Sequence, residues 1–145
     1  MSTDGDPFDL ARFLRAQEAS HADALAELRA GAKRSHWMWY IFPQAEGLGT
    51  SAMARAYAIR SRAEAEAYAA HPVLGAWLRE AATALIAHRG RSAEAIMGAV
   101  DAMKLQSSMT LFAAVAEDAT PFAAVLDAFY AGERDARTMA WLETA

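Results

Sequence analysis

Residues 72–90 read Pro-Val-Leu-Gly-Ala-Trp-Leu-Arg-Glu-Ala-Ala-Thr-Ala-Leu-Ile-Ala-His-Arg-Gly. Within them Leu74, Trp77, Leu78, Ala81 and Leu85 recur at steps of three and four, the spacing that gathers side chains on one face of an α-helix. Pro72 suits the entry because the first turn has no use for its missing N–H, and Gly90 suits the exit. A helix with so broad an apolar face needs other helices around it, and the rest of the chain supplies them. The fold predicted is all-α: a single compact multi-helix domain of about seven or eight short to medium helices, with the 72–90 helix at its centre.

Upstream, residues 1–5 read as a flexible N-terminal tail and residues 6–145 as the domain. Asp6 and Pro7 offer an N-cap and a first-turn proline. Leu10, Phe13, Leu14 and Gln17, then His21, Ala24, Leu25 and Leu28, follow helical spacing up to Gly31. A break near Ala19 and Ser20 would make two short helices of this stretch, or one kinked helix. Thr50 or Ser51 can cap a short helix, and Ser61 with Glu64 has the spacing of a capping box. Downstream, Ser92 opens a short turn, Asp101 is placed to cap a helix carrying Leu105, Ser108, Met109 and Phe112, Thr120-Pro121 starts another, and Asp135 caps the last. No run has the period-two alternation of a strand. Alanine is frequent, so helix surfaces are narrow and aromatics must fill the gaps between them.

A chain of 145 residues that is 54% hydrophobic and 22% charged can bury a real core as one domain. With no cysteine, disulfides, thiolate metal sites and cysteine nucleophiles are excluded. The longest strongly apolar stretch, 37–42, is far too short to span a bilayer and no basic segment precedes an apolar run, so a cytoplasmic location away from membranes is expected. The net charge of −4 argues against nucleic acid as a partner. Between Arg29 and Arg62, however, six basic residues stand against one acid, Glu46. That segment suits either ordinary solvated helix ends or the recognition of an anionic small molecule.

Inside the basic segment, residues 33–49 read Lys-Arg-Ser-His-Trp-Met-Trp-Tyr-Ile-Phe-Pro-Gln-Ala-Glu-Gly-Leu-Gly. Trp37, Trp39 and Tyr40 offer flat surfaces, while Arg34, His36 and Gln44 offer charge and hydrogen bonds. The block serves either as a hydrophobic plug or as a pocket lining. Gly47, Gly49 and Ser51 suit a tight turn, or a turn that brings backbone N–H groups to an anion with Arg55 close by. Farther on, Asp101 and Lys104 sit at i and i+3, followed by Ser107 and Ser108. This grouping is either a structural ion pair or a lysine set for proton transfer. The four histidines lack metal-ligand spacing, so no metal is expected, and no serine lies in a nucleophile elbow, so hydrolysis through a serine is not expected either; no cofactor is expected.

Several of these segments, taken in order, carry a resemblance. Asp6-Pro7-Phe8 with Arg12-Phe13, Ser35 through Gln44, Gly47-Leu48-Gly49, His71 through Gly75, Lys104-Leu105 and Ser107 through Phe112 resemble a bacterial family catalogued as a domain of unknown function, number 1810. The resemblance covers nearly the whole chain. It implies a compact helical fold and brings no activity with it. Met97 departs from the family pattern where an aromatic is expected, and Trp77 where a polar residue is common.

The expectation is a pocket between the aromatic block and the Lys104 helix that binds an anionic, partly aromatic metabolite of nucleotide type. Trp37, Trp39 and Tyr40 would stack on it, Arg34, Arg55 and Lys104 would neutralise it, and Gln44 would orient it. His36 and Lys104 are the candidates for proton transfer should hydrolytic or glycosidic chemistry follow. The alternative is a non-catalytic interaction or homodimerisation module built on an aromatic and methionine patch.

Overall fold

The computed structural model describes residues 6–145, and the expected tail, residues 1–5, lies outside them. Among the described residues there are nine helices in chain order: α1 (Ala11–Ala30), α2 (Met38–Ile41), α3 (Ala52–Ala56), α4 (Arg62–Ala70), α5 (Leu74–Ile86), α6 (Ala93–Met97), α7 (Ala99–Val115), α8 (Thr120–Tyr130) and α9 (Ala136–Thr144). The count exceeds the expected seven or eight because α2, α3 and α6 are little more than one turn each. Sheet pairing among these residues is limited to two isolated bridges, Ala45 with Ile59 and Arg89 with Arg91. Among the described residues no helix is long and apolar enough to cross a membrane.

The first helix is continuous through Ala19 and Ser20. The Ser20 hydroxyl donates to the Ala16 carbonyl at 2.7 Å, which keeps a residue that favours turns inside the helix. Asp6 does cap this helix, but from one turn away: its carboxylate accepts from the N–H groups of Leu10 and Ala11, while residues 7–9 make the turn between them. The exit is at Gly31, with φ 71°, and a Cβ there would stand 2.4 Å from an Arg91 guanidinium nitrogen. Backbone conformation and close approach both demand glycine at that point.

Helices α5 and α7 form the centre. The first packs against α1, α4 and α8, the second against α4, α6, α8 and α9. Leu74, Leu78, Ala81 and Leu85 are buried as their spacing requires, whereas Trp77 lies at the rim, stacked on His21 with ring centroids 4.4 Å apart. The approach of α4 to α5 depends on Gly75, where a Cβ would meet the Ala69 carbonyl at 2.2 Å. Aromatics fill the space that alanine leaves. A chain of ring contacts runs from Tyr57 through Phe13, Tyr68 and Phe112 to Phe122, with centroids 5.0 to 6.0 Å apart.

Beyond Asp6, the caps follow the sequence with two exceptions. Ser51, Ser92 and Asp135 accept backbone N–H groups at the starts of α3, α6 and α9. Ser61 accepts from Glu64, but the Glu64 carboxylate closes on the N–H of Arg60 rather than that of Ser61, because its other oxygen is held by Arg12 at 2.7 Å. Asp101 is not a cap. Helix α7 begins after Gly98, and Asp101 stands inside its first turn, where it binds two lysines instead.

Candidate functional site

Glu27, in the last turn of α1, organises the aromatic block. Its carboxylate accepts from the N–H groups of Arg34 and Ser35, from the Ser35 hydroxyl and from the Trp37 indole, at 2.6 to 3.0 Å. Burial alone would raise the Glu27 pKa, yet these four donors outweigh it and hold the carboxyl at about 2. The segment after Gly31 is thereby folded back onto α1, and Trp37 is driven inward.

One turn of helix then sorts the block. Met38 and Ile41, three residues apart on α2, are buried together with Trp37 and Phe42, while Trp39 and Tyr40 are half-buried on the other side. Tyr40 packs edge-on against Tyr57 at 5.2 Å, and its hydroxyl donates to the His36 carbonyl. Trp37 has no free face for a ligand, because its ring is enclosed and carries the Lys33 ammonium 4.8 Å from its centroid. Of the three rings expected to stack, Trp39 is the one at a cavity wall.

Beyond Pro43 the chain makes its one-residue pairing with the 58–60 segment. The N–H of Ile59 donates to the Gln44 carbonyl at 2.9 Å and the N–H of Glu46 to the Ile59 carbonyl at 2.8 Å. Side chains alternate across such a pairing. Ala45 and Ile59 enter the core, so Gln44, Glu46 and Arg60 turn outward and form a floor. With Trp39, Arg55 and Tyr57 they line a cavity of about 470 Å³, a size that holds a small metabolite.

Its rim is the turn of Gly47 and Gly49. The Gly47 carbonyl receives Arg137 of α9 at 3.4 Å, and a Cβ on Gly49 would stand 2.7 Å from that of Ala54, so the turn lies tight against α3. Ser51 spends its hydroxyl on the cap of α3 and does not line the cavity. Among the described residues, the guanidinium groups of Arg55 and Arg60, the Gln44 amide and the Glu46 carboxylate have no hydrogen-bond or ion-pair partner. These are the groups with capacity left for a ligand.

The Lys104 helix reaches the aromatic block but not the cavity. The Lys104 ammonium lies 5.6 Å from the centroid of the Trp39 ring and 3.7 Å from Asp101, whose other oxygen binds Lys33 at 2.9 Å. Lys33 also donates to the Ser35 carbonyl. Ser107 donates back to Met103, and Ser108 is buried in α7 with its hydroxyl unpartnered among the described residues. The wall opposite Trp39 is therefore α3 and the segment after it rather than α7. Trp39, Gln44, Gly47, Gly49 and Arg55 line this cavity together, whereas Arg34, His36, Trp37, Tyr40, Ser51, Asp101, Lys104, Ser107 and Ser108 do not.

Glu46, Tyr57 and Arg60 are additions that sequence reasoning missed. The signal lay in the chain, since Glu46 is the lone acid of the basic segment and Gln44-Ala45-Glu46 places a core residue between two polar ones that turn outward. No group of three or more histidine, aspartate or glutamate side chains among the described residues is gathered as a metal would require.

A family model described as a protein of unknown function, DUF1810, matches residues 7–142. The chain belongs to the DUF1810 family. This DUF1810 chain is similar to a solved structure, the conserved hypothetical protein Rv1873 from Mycobacterium tuberculosis. The two share 47% identity with a TM-score of 0.94, over 97% of this chain and 100% of that one. No curated protein matches the chain. Met97 is buried at the end of α6, and Trp77 covers His21, so both residues serve packing.

Proposed function

We propose that this cytoplasmic DUF1810 protein binds a small anionic ligand with a planar aromatic part, of nucleotide type, in the cavity between Trp39 and α3. The observation that carries the reading is the pair of guanidinium groups, Arg55 and Arg60, that line one cavity with an indole and are unpaired among the described residues. A guanidinium without a partner presents several donors in a fork that matches phosphate or carboxylate. Trp39 and Tyr57 supply flat surfaces beside them, and the Gln44 amide can both donate and accept at the edge of a ring. The reading is one of binding. Neither His36 nor Lys104 lines the cavity, so the two residues expected to carry protons in hydrolytic or glycosidic chemistry are not among its walls.

The test is thermal melting against a panel of nucleoside monophosphates and phosphosugars. A ligand of the folded state raises the melting temperature with concentration. The rise is expected for the wild type and lost in the double variant Arg55→Gln with Arg60→Gln. A melting temperature that no compound moves overturns the reading.

A second reading rests on Val100 and Met103, 67% and 70% exposed on the first turns of α7. Two large apolar side chains on one helix face suit an interaction or homodimerisation module. Sedimentation equilibrium separates the two readings: association that Met103→Glu abolishes supports the module, and a monomer at every concentration dismisses homodimerisation.

A further inference from the structure

Glu46 has no place in a cavity that only attracts anions. A carboxylate beside two guanidiniums weakens the field they create. The Ala45 and Ile59 pairing turns Glu46 and Arg60 out on the same face of adjacent chain segments, yet no ion pair joins them. The carboxylate stays available. An ionised carboxylate is an acceptor only and can take two neighbouring donors at once, so it selects for ligand groups that carry such a pair.

We infer that Glu46 is the specificity-determining residue of this cavity, accepting two neighbouring N–H or O–H donors of an aromatic monophosphate whose anion is held by Arg55 and Arg60. The inference rests on the anion-binding reading above and adds the chemistry of the ligand's other end. Two sources present that donor pair on a nucleotide. The guanine edge offers its ring N–H beside its exocyclic amine, an edge that adenine and hypoxanthine lack, and a ribose diol offers two hydroxyls whatever the base.

Calorimetric titration with guanosine, inosine and adenosine 5′-monophosphates and with the 2′,3′-dideoxy form of the first separates the sources. The proteins are the wild type, Glu46→Gln, and the double variant Arg55→Gln with Arg60→Gln. Recognition of the base edge gives the guanine nucleotide an advantage of about tenfold over the inosine and adenosine forms, the scale of a charge-assisted hydrogen-bond pair. Recognition of the diol makes the three ribonucleotides alike and the dideoxy form about tenfold weaker. Under either source the ratio collapses in Glu46→Gln, while phenyl phosphate, which carries neither donor pair, binds that variant at least as well as the wild type because one negative charge has gone.

Ratios that Glu46→Gln leaves unchanged, or equal gains for every probe, overturn the inference. If binding is then still lost in the double arginine variant, the anion site stands without the Glu46 role. If no probe binds the wild type, or the double arginine variant binds as the wild type does, both readings fall together.

Discussion

Glu27 Oε1 accepts the indole N–H of Trp37 at 3.0 Å, and the same oxygen accepts the backbone N–H groups of Arg34 and Ser35. By local rules this acid is misplaced, since the last turn of a helix presents the negative end of its dipole. Its donors explain it. They convert the seven residues between α1 and α2 into a fixed return path, bury one tryptophan and leave the next at the cavity wall.

The link between Glu27 and pH follows from its depressed pKa of about 2 against an ordinary 4.5. A carboxylate stabilised in the folded state contributes fully above the unfolded value, and that contribution is lost as pH falls through the folded one. Glu27→Gln keeps the shape but loses the charge on the acceptor, and is expected to cost about 1–3 kcal/mol near neutral pH. Urea denaturation of wild type and variant should show the gap narrowing below about pH 4.5 and closing near pH 2. A gap that stays constant across this range would refute the assignment.

Arg12 ties three separate stretches together. Its guanidinium donates to the carbonyls of Phe8, Asp9, Ala56 and Ala58 and to the Glu64 carboxylate, which also receives the N–H of Arg60. Glu64 is almost fully buried, so removing its partner strands a charge. Arg12→Met is expected to cost about 3–5 kcal/mol by chemical denaturation. Arg12→Lys restores the charge without the planar fork and should recover only part of that loss. Wild-type stability in either variant would mean the network contributes nothing.

What could be read from the chain was what depends on near neighbours. The face of α5, the caps at Ser51, Ser92 and Asp135 and the exit at Gly31 are each set within a few residues, and each stands where the spacing put it. The cavity depends instead on a single bridge between Ala45 and Ile59, too short to leave a strand pattern. Asp101 failed for a related reason. The residue type that caps a helix also binds lysine, and the choice was made by Lys33, a residue sixty-eight positions earlier that α7 meets only in the folded chain. Likewise nothing local distinguishes the buried Trp37 from Trp39, because the distinction is made by Glu27.

Gly31 is the position where a single methyl group should be felt most. Alanine would adopt φ 71° at a cost and would press on Arg91, whose guanidinium donates to the Gly31 carbonyl at 2.9 Å. Gly31→Ala is expected to lose more than the roughly 1 kcal/mol of the backbone strain alone. Adding Arg91→Ala removes the nearest contact and leaves the His88 ring at 3.0 Å and the strain, so in thermal melting the double variant should lose less than the two single losses combined. Strict additivity would show that Arg91 gives way freely.

Ser108 calls for the opposite expectation. It is fully buried in α7 between Leu105 and Phe112 in the row that faces the core, and its hydroxyl finds no partner among the described residues, although Ser107 and Thr110 each bond back to a carbonyl four residues earlier. A buried hydroxyl left unsatisfied carries its desolvation cost without return. Ser108→Ala removes one oxygen and little volume, so the variant is expected to be as stable as the wild type or more stable by about 1 kcal/mol. Ser107→Ala, at a hydroxyl that is already bonded, should not gain. A clear loss on Ser108→Ala in urea denaturation would mean that the hydroxyl holds a buried water or another partner, and that its place beside Leu105 is not simply a packing choice.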